Sequence, residues 1–157
     1  MDTNTFYAVT GATCFTLVGL WWSVVQGKSE WFKDTAKKRL AGGVYASFLI
    51  PALMSLGAQV GGDNGLIWQG VFVIAALGGI SFSSRLISLT RNANPEGAFS
   101  RNSWVVPLLY AVVLFFAVFP GFARLIGLEP LQMEGLLLSL LILCAHMLAW
   151  EFSTTAH

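Results

Sequence analysis

Long apolar segments alternate with short polar ones along almost all of this 157-residue chain. Each apolar segment holds about 20 residues, the length that a helix rising about 1.5 Å per residue needs to cross a hydrocarbon core of about 30 Å. The pattern therefore predicts an all-α integral membrane protein, a polytopic bundle that forms a single transmembrane domain over 1–157. Its five spans are predicted at residues 5–26, 40–60, 66–90, 104–126 and 131–152. A bundle of four spans is the alternative.

Polar and turn-forming segments separate the predicted spans. Residues 27–39 form a basic loop, and residues 91–103 form a second polar loop whose segment 94–97 is typical of a type I turn. The glycine-rich segment 61–65 and the segment 127–130 are short enough to be tight turns. These connections leave no room for a separate soluble domain.

Composition favours the bilayer over water as the main solvent. Hydrophobic residues make up 55% of the chain and charged residues 11%, whereas about a quarter of the residues in a soluble domain are charged. No Lys or Arg precedes the first apolar segment, which is therefore predicted to be a retained span rather than a cleaved signal peptide. We expect the protein in the cytoplasmic or plasma membrane, with an organelle membrane as the alternative.

Basic residues predict the orientation, because Lys and Arg are retained on the cytoplasmic side of a membrane. The two polar loops contain Lys28, Lys33, Lys37, Lys38, Arg39, Arg91 and Arg101. Arg85 lies close to the same side, whereas Arg124 is predicted near the other side. The sequence therefore predicts an N-terminus outside and a cytoplasmic C-terminus.

The basic loop has two interpretations. Phe32, Ala36 and Leu40 recur at intervals of four, which predicts a short helix that lies in the headgroup region with its cations towards anionic lipid. The functional interpretation is a docking site for an anionic lipid or an acidic partner. The structural alternative is an anchor that fixes topology and interfacial position.

Four charged residues fall inside the predicted spans, where charge is costly and therefore a candidate for function. By their positions along the helices, Arg85 and Glu151 lie near the cytoplasmic interface. Arg124 and Glu134 lie near the outer one. We predict that the two residues at each level form an ion pair that joins two helices, and an ion pathway is the alternative.

His146 lies deep in the predicted bundle, with no carboxylate, Lys or Arg at a comparable depth. Its expected role is a hydrogen bond to a neighbouring helix. The alternative is an axial haem ligand, which would need a second histidine from a partner chain or a symmetry mate, because the terminal His157 is the only other one. We therefore predict no cofactor and no metal site, and we interpret Cys14 and Cys144 as small apolar residues.

Hydroxyl side chains mark two of the spans. They are Thr10, Thr13 and Thr16 in the first span and Ser81, Ser83 and Ser84 in the third. One interpretation is that they line a pore. The other is that they bond carbonyl oxygens four residues earlier in their own helix and pack between helices.

Small residues spaced by four, together with two prolines, predict how the helices pack. The small pairs are Gly42 with Ala46, Gly43 with Ser47, Gly57 with Gly61, Ala75 with Gly79, and Ala117 with Gly121. Such pairs let two helix backbones approach closely. Pro51 and Pro120 lie within spans and predict kinks, because proline has no N–H to donate.

The sequence predicts function only as a class. It contains no serine-hydrolase, zinc-protease or phosphate-loop motif, and a net charge of +1 gives no support to nucleic acid binding. We predict a non-catalytic multi-pass membrane subunit or interaction module that works in a homo- or hetero-oligomeric complex. A small homo-oligomeric channel, anion-biased if the basic loops ring its mouth, is the alternative. A remote alternative is an interfacial lipid-processing enzyme that uses Arg85, Arg91, Tyr45 and Tyr110.

Overall fold

A computed structural model describes residues 2–62, 64–93 and 96–155, apart from the side chains of residues 92, 93, 98 and 155. The turn expected at 94–97 lies partly outside the described residues, and the terminal His157 lies wholly outside them. All regular secondary structure in the described ranges is helical. The α-helices are α1 (Thr3–Gln26), α2 (Thr35–Gly61), α3 (Gly65–Ala93), α4 (Ala98–Asn102), α5 (Val105–Val118), α6 (Gly121–Leu125) and α7 (Pro130–Thr155), and a 3₁₀ helix covers Ser29–Phe32.

Four of the described helices are long and apolar enough to cross a membrane. They are α1, α2, α3 and α7, with 24, 27, 29 and 26 residues. Their lengths and composition support the prediction of an all-helical, multi-pass membrane protein.

The predicted fourth span, 104–126, is not one helix. α5 ends at Val118, Phe119 leaves the helical conformation (φ −121°, ψ 63°), and α6 starts after Pro120. Proline has no N–H for the helix ladder, and its ring disfavours a helical conformation in the residue before it. The expected kink at Pro120 is therefore a complete break, which leaves α5 with 14 residues. Pro51, by contrast, lies within α2 and does not end it.

α2 begins at Thr35, earlier than the predicted residue 40. The Asp34 carboxylate caps this helix by accepting hydrogen bonds of 2.8 and 3.3 Å from two N–H groups of its first turn. The single amphipathic helix expected to include Phe32, Ala36 and Leu40 does not form, because the extended backbone of Asp34 (φ −97°, ψ 116°) separates the 3₁₀ helix from α2. Phe32 is exposed, whereas Leu40 is buried. The basic loop is therefore shorter than predicted.

α2 lies at the centre of the bundle. It packs against α1, α3 and α7, while α5 packs against α3 and α7. We name the end where α1 stops and α2 starts the basic end, and the end where α2 turns into α3 the opposite end. The last part of α7 lies at the basic end, where the rings of Trp31 and Phe152 are 4.6 Å apart.

Two apolar clusters fill the bundle, one towards each end. The cluster at the opposite end includes Tyr7, Met54, Phe72 and Leu138, and the cluster at the basic end includes Trp21, Trp31, Val44 and Phe152. The Tyr7 hydroxyl donates a hydrogen bond to the carbonyl oxygen of Leu131 (2.7 Å). Trp21 Nε1 donates to the carbonyl oxygen of Ala41 (2.9 Å). α1 is thereby joined to α7 at one end and to α2 at the other.

Glycines let α2 and α3 approach closely. A Cβ added at Gly43 would lie 2.6 Å from a Leu86 methyl carbon, and one added at Gly57 would lie 2.5 Å from a Val71 methyl carbon. At Gly42 nothing lies within 4 Å of an added Cβ. Gly43 and Gly57 therefore mark helix contacts, whereas Gly42 faces open space.

Replacing Gly57 by alanine should destabilise the bundle, because the new methyl group would overlap the β-branched side chain of Val71. Overpacking of this kind costs about 1–3 kcal/mol. Gly78→Ala is the matched control, since a Cβ there meets nothing within 4 Å. It should be neutral or stabilising by about 1 kcal/mol through helix propensity. Thermal unfolding in one detergent measures both variants, and equal midpoints would contradict the close contact.

Candidate functional site

The carboxylate of Glu134 lies in the core of the bundle. Its residue is 0% exposed, and neither oxygen has a hydrogen-bond partner among the described residues. It continues the buried face of α7 that includes Leu138 and Leu141. A buried polar group without a partner costs free energy. The free energy of unfolding is therefore lower with Glu134 than it would be with an apolar residue at this position.

The structure does not bring Arg124 and Glu134 together as predicted. Arg124 lies near Glu129, with 3.8 Å between Nε and Oε2, and the two side chains are 70% and 69% exposed. The turn between α6 and α7, where Gly127 has a φ of 78°, leaves both at the surface. Glu134 lies further into α7, on its buried face, so the tight hairpin cannot present it to Arg124.

The other predicted pair, Arg85 with Glu151, does not form either. Glu151 Oε2 accepts a hydrogen bond from the N–H of Phe99 (2.7 Å), and its carboxylate lies against Gly97. Arg85 is exposed on α3 and forms no ion pair within the part of the chain that the structure describes. Glu151 therefore ties the end of α7 to the start of α4.

Four of the six candidate hydroxyls bond carbonyl oxygens of their own helix. The bonds run from Thr16 to Ala12, Ser81 to Leu77, Ser83 to Gly79 and Ser84 to Ile80, at 2.6–2.9 Å. Thr10 is half-buried and Thr13 is exposed. Ser83 lines an internal cavity of about 20 Å³ together with Tyr110 and Cys144, which is room for about one water molecule. The exposed and buried hydroxyls face different directions, so they do not line one path within a single copy of the chain.

The predicted basic face is present at the basic end. Lys28, Lys33, Lys38, Arg39, Arg91 and Arg101 are exposed there, and Lys37 is half-buried. Lys33 Nζ lies 2.8 Å from Glu30 Oε1 in an exposed ion pair. An exposed pair of this kind contributes little stability. This end of the bundle therefore presents mainly positive charge.

His146 faces outwards from α7. Its Nδ1 lies 2.8 Å from the carbonyl oxygen of Ile142, one turn earlier in the same helix. Its ring meets the ring of Phe48 edge to face, with 5.2 Å between centroids. Nε2 has no hydrogen-bond partner among the described residues. The expected hydrogen bond to a neighbouring helix is therefore not made within one copy of the chain.

The imidazole borders a depression of about 320 Å³ between α1 and α7, which we name the α1–α7 groove. Its walls include Leu17, Trp21, Phe48, His146, Trp150 and Ser153. Most of this surface is apolar, and it opens to the outside of the bundle. The groove offers the His146 imidazole and the Trp150 indole N–H within a surface that otherwise suits hydrocarbon or a packed helix.

The thiols and carboxylates do not add ligands to this nitrogen. Within the described ranges, no three His, Cys, Asp or Glu side chains come together to hold a metal ion. Cys14 is buried, Cys144 is half-buried, and both are free thiols. The described residues therefore bring no cluster of metal ligands to His146.

Comparison with known proteins assigns no family: no family model, no curated protein and no solved structure matches the chain. The function has to be inferred from the geometry of the chain itself.

Sequence reasoning missed the direction in which two polar residues point. The buried face of α7 repeats at intervals of three and four through Glu134, Leu138, Leu141 and Ala145, and His146 falls next to this face rather than on it. That periodicity is present in the sequence. The periodicity alone does not predict which face of α7 is turned to the core, because the orientation of α7 depends on the helices around it.

Replacing Glu134 by methionine should stabilise the protein, because an apolar side chain of similar length removes the unpartnered carboxylate. We expect a gain of about 1–3 kcal/mol. Glu151→Met is the matched comparison on the same helix, and it should destabilise because it removes the acceptor of the Phe99 N–H. Chemical unfolding in one detergent measures both. A loss in Glu134→Met as large as that in Glu151→Met would mean that Glu134 makes a stabilising contact.

Proposed function

We propose that this protein is a non-catalytic multi-pass membrane subunit that self-associates, with α7 of a second copy seated along the α1–α7 groove. The observation that carries the proposal is the outward-facing His146, whose Nε2 has no partner within the described chain. A polar nitrogen that faces hydrocarbon costs free energy until another group satisfies it.

The hydrogen bond made by Nδ1 determines whether Nε2 requires a hydrogen-bond donor or an acceptor. A carbonyl oxygen only accepts, so the 2.8 Å contact with Ile142 requires the proton of a neutral ring to be on Nδ1. Nε2 then carries a lone pair and needs a donor. Hydrogen bonds between helices are a common source of association within membranes.

A second copy supplies both a donor and a matching surface. The outward face of α7 carries large apolar residues at alternating intervals of four and three, namely Leu136, Leu140, Leu143, Met147 and Trp150. This spacing averages 3.5 residues, as in parallel helices that pack with a left-handed twist. Trp150 is 74% exposed, and its indole N–H lies one turn from His146 on the same helix. A two-fold axis along the membrane normal would place the Trp150 Cα of one copy about 6 Å from the depth of His146 in the other. The tryptophan side chain can span that difference, because side chains on a helix point towards its N-terminus.

We further propose five crossings, with the N-terminus outside and the C-terminus cytoplasmic. In this arrangement α5 and α6 together make the fourth crossing across the break at Pro120. The support is the charge distribution, because the exposed lysines and arginines gather at the basic end whereas Arg124 lies beside Glu129.

The two alternatives have less support. A channel would turn its hydroxyls towards one path, whereas the six candidates are divided among exposed, half-buried and buried positions. A lipid-processing site would use Tyr45 and Tyr110 together. Tyr110 is buried beside Gly79, whereas the ring of Tyr45 lies 6.4 Å from that of Trp22.

The orientation predicts which loops react with a membrane-impermeant thiol reagent added to intact cells. With Cys14 and Cys144 replaced by alanine, Asn64→Cys at the opposite end should be labelled from outside. Ser29→Cys at the basic end should be labelled only after the membrane is opened, because both positions are exposed but lie at different ends. Labelling of Ser29→Cys in intact cells would reverse the proposed orientation.

Self-association predicts a dimer in nanodiscs and a defined crosslink. In the same cysteine-free background, Met147→Cys should form a disulfide between copies on oxidation, and Ile74→Cys, exposed on α3, should not. His146→Leu should raise the dimer dissociation constant about eightfold, from two hydrogen bonds of about 0.6 kcal/mol each. A monomeric particle, or crosslinking at Ile74→Cys in preference to Met147→Cys, would overturn the proposal.

A further inference from the structure

A second outward-facing depression, of about 280 Å³, opens at the basic end where α1, the 3₁₀ helix and α2 meet. We name it the Lys38 pocket. Its walls include the rings of Trp22, Phe32 and Tyr45, the open backbone at Gly42, and the side chain of Lys38. Trp22 is 50% exposed and Phe32 is 47% exposed, so much of this aromatic surface is uncovered. The wall of the pocket is almost wholly apolar, and Lys38 is the one charged residue that borders it.

The ammonium of Lys38 has no counter-ion among the described residues. The acidic side chains of the same loop are already engaged. Glu30 lies 2.8 Å from Lys33, and the Asp34 carboxylate accepts hydrogen bonds from the first turn of α2. Lys38 therefore has no ion pair among the described residues and is available to an anion from outside the chain.

The apolar wall restricts what kind of anion fits. Tryptophan and tyrosine rings favour the interface between headgroups and hydrocarbon, and Trp22 and Tyr45 border the pocket at the end of the bundle where the basic residues gather. Nothing within 4 Å would meet a Cβ at Gly42, so there is room beside α2 for an alkyl chain. A small inorganic anion would leave this wall uncovered, and an acidic peptide would have to place its backbone against it.

We propose that the Lys38 pocket binds one anionic phospholipid. The phosphate pairs with the Lys38 ammonium, and the upper part of an acyl chain lies over Gly42 and against the exposed faces of the Trp22 and Tyr45 rings, which contact each other edge to face. The other basic residues of this end raise the local concentration of anionic lipid. Lys38 and the open position at Gly42 make this attraction specific, because one binds the phosphate and the other leaves room for the acyl chain. This site is independent of the α1–α7 groove in its ligand and in its test.

The test is a titration of the purified full-length protein followed by native mass spectrometry. The probes are a phosphatidylglycerol and a phosphatidylcholine with identical acyl chains, because they differ in net charge but not in tails. The wild-type protein should bind one phosphatidylglycerol more tightly than it binds phosphatidylcholine. Lys38→Ala should weaken phosphatidylglycerol binding about fivefold, the effect of about one surface cation. Gly42→Leu should remove binding of both lipids at this site by filling it.

Each variant has a control that makes the same change elsewhere. Lys33→Ala removes one positive charge from the same loop outside the pocket, and Gly78→Leu adds the same side chain at an open position on α3. Gly78→Leu should bind phosphatidylglycerol as the wild type does, and Lys33→Ala should lose clearly less binding than Lys38→Ala. The thermal midpoint should not fall in Gly42→Leu, because nothing lies within 4 Å of the new Cβ and leucine is a better helix former than glycine.

Three outcomes would overturn the proposal. Equal binding of the two lipids would mean that charge does not select the ligand. An equal loss in Lys33→Ala and Lys38→Ala would mean that the surface charge acts without a site. Unchanged binding in a folded Gly42→Leu variant would mean that the lipid binds elsewhere. The pocket would then be open to another ligand, such as an acidic peptide.

Discussion

Hydrocarbon offers no hydrogen-bond partner, so each backbone N–H and C=O inside a membrane has to find one within the protein. The long helices meet this requirement along their length. At the break in the fourth predicted span the chain meets it locally, because Phe119 N donates to the carbonyl oxygen of Phe115 (2.8 Å) and Phe122 N donates to that of Phe119 (3.1 Å). The backbone therefore accommodates proline without leaving the break unbonded. Hydrocarbon makes the same demand of polar side chains, and the Glu134 carboxyl oxygens and the His146 Nε2 do not meet it among the described residues.

The central place of α2 determines where the surface stays open. Glycines bring α2 close to α3, while α1 covers another flank of α2 and makes fewer contacts with α7. Two depressions remain beside α1 at the basic end, the α1–α7 groove and the Lys38 pocket. Trp21 borders both of them, and its indole is held by the hydrogen bond to Ala41. One fixed ring therefore separates the surface proposed for a second copy from the surface proposed for a lipid.

The sequence predicts those features that depend on a single segment. Run length and hydropathy predict the four long helices, and the missing N–H of Pro120 predicts a disturbance at the correct residue. Features that depend on how helices rotate against one another are not predicted. Arg124 and Glu134 are close in sequence, yet one faces outwards and the other faces the core. The Lys38 pocket could not be predicted either, because three segments have to meet to form it.

The aromatic contact between Trp31 and Phe152 joins the first connection of the chain to its last helix. Trp31 is buried beside Phe152 and Trp21, with ring centroids 4.6 and 6.1 Å away. Synthesis proceeds from the N-terminus, so residues 29–32 emerge long before α7. The 3₁₀ helix therefore acquires its final environment only after the last helix has entered the membrane. Completion of the basic end is a late step of biogenesis, and a chain truncated before α7 would leave two tryptophan rings without their partner.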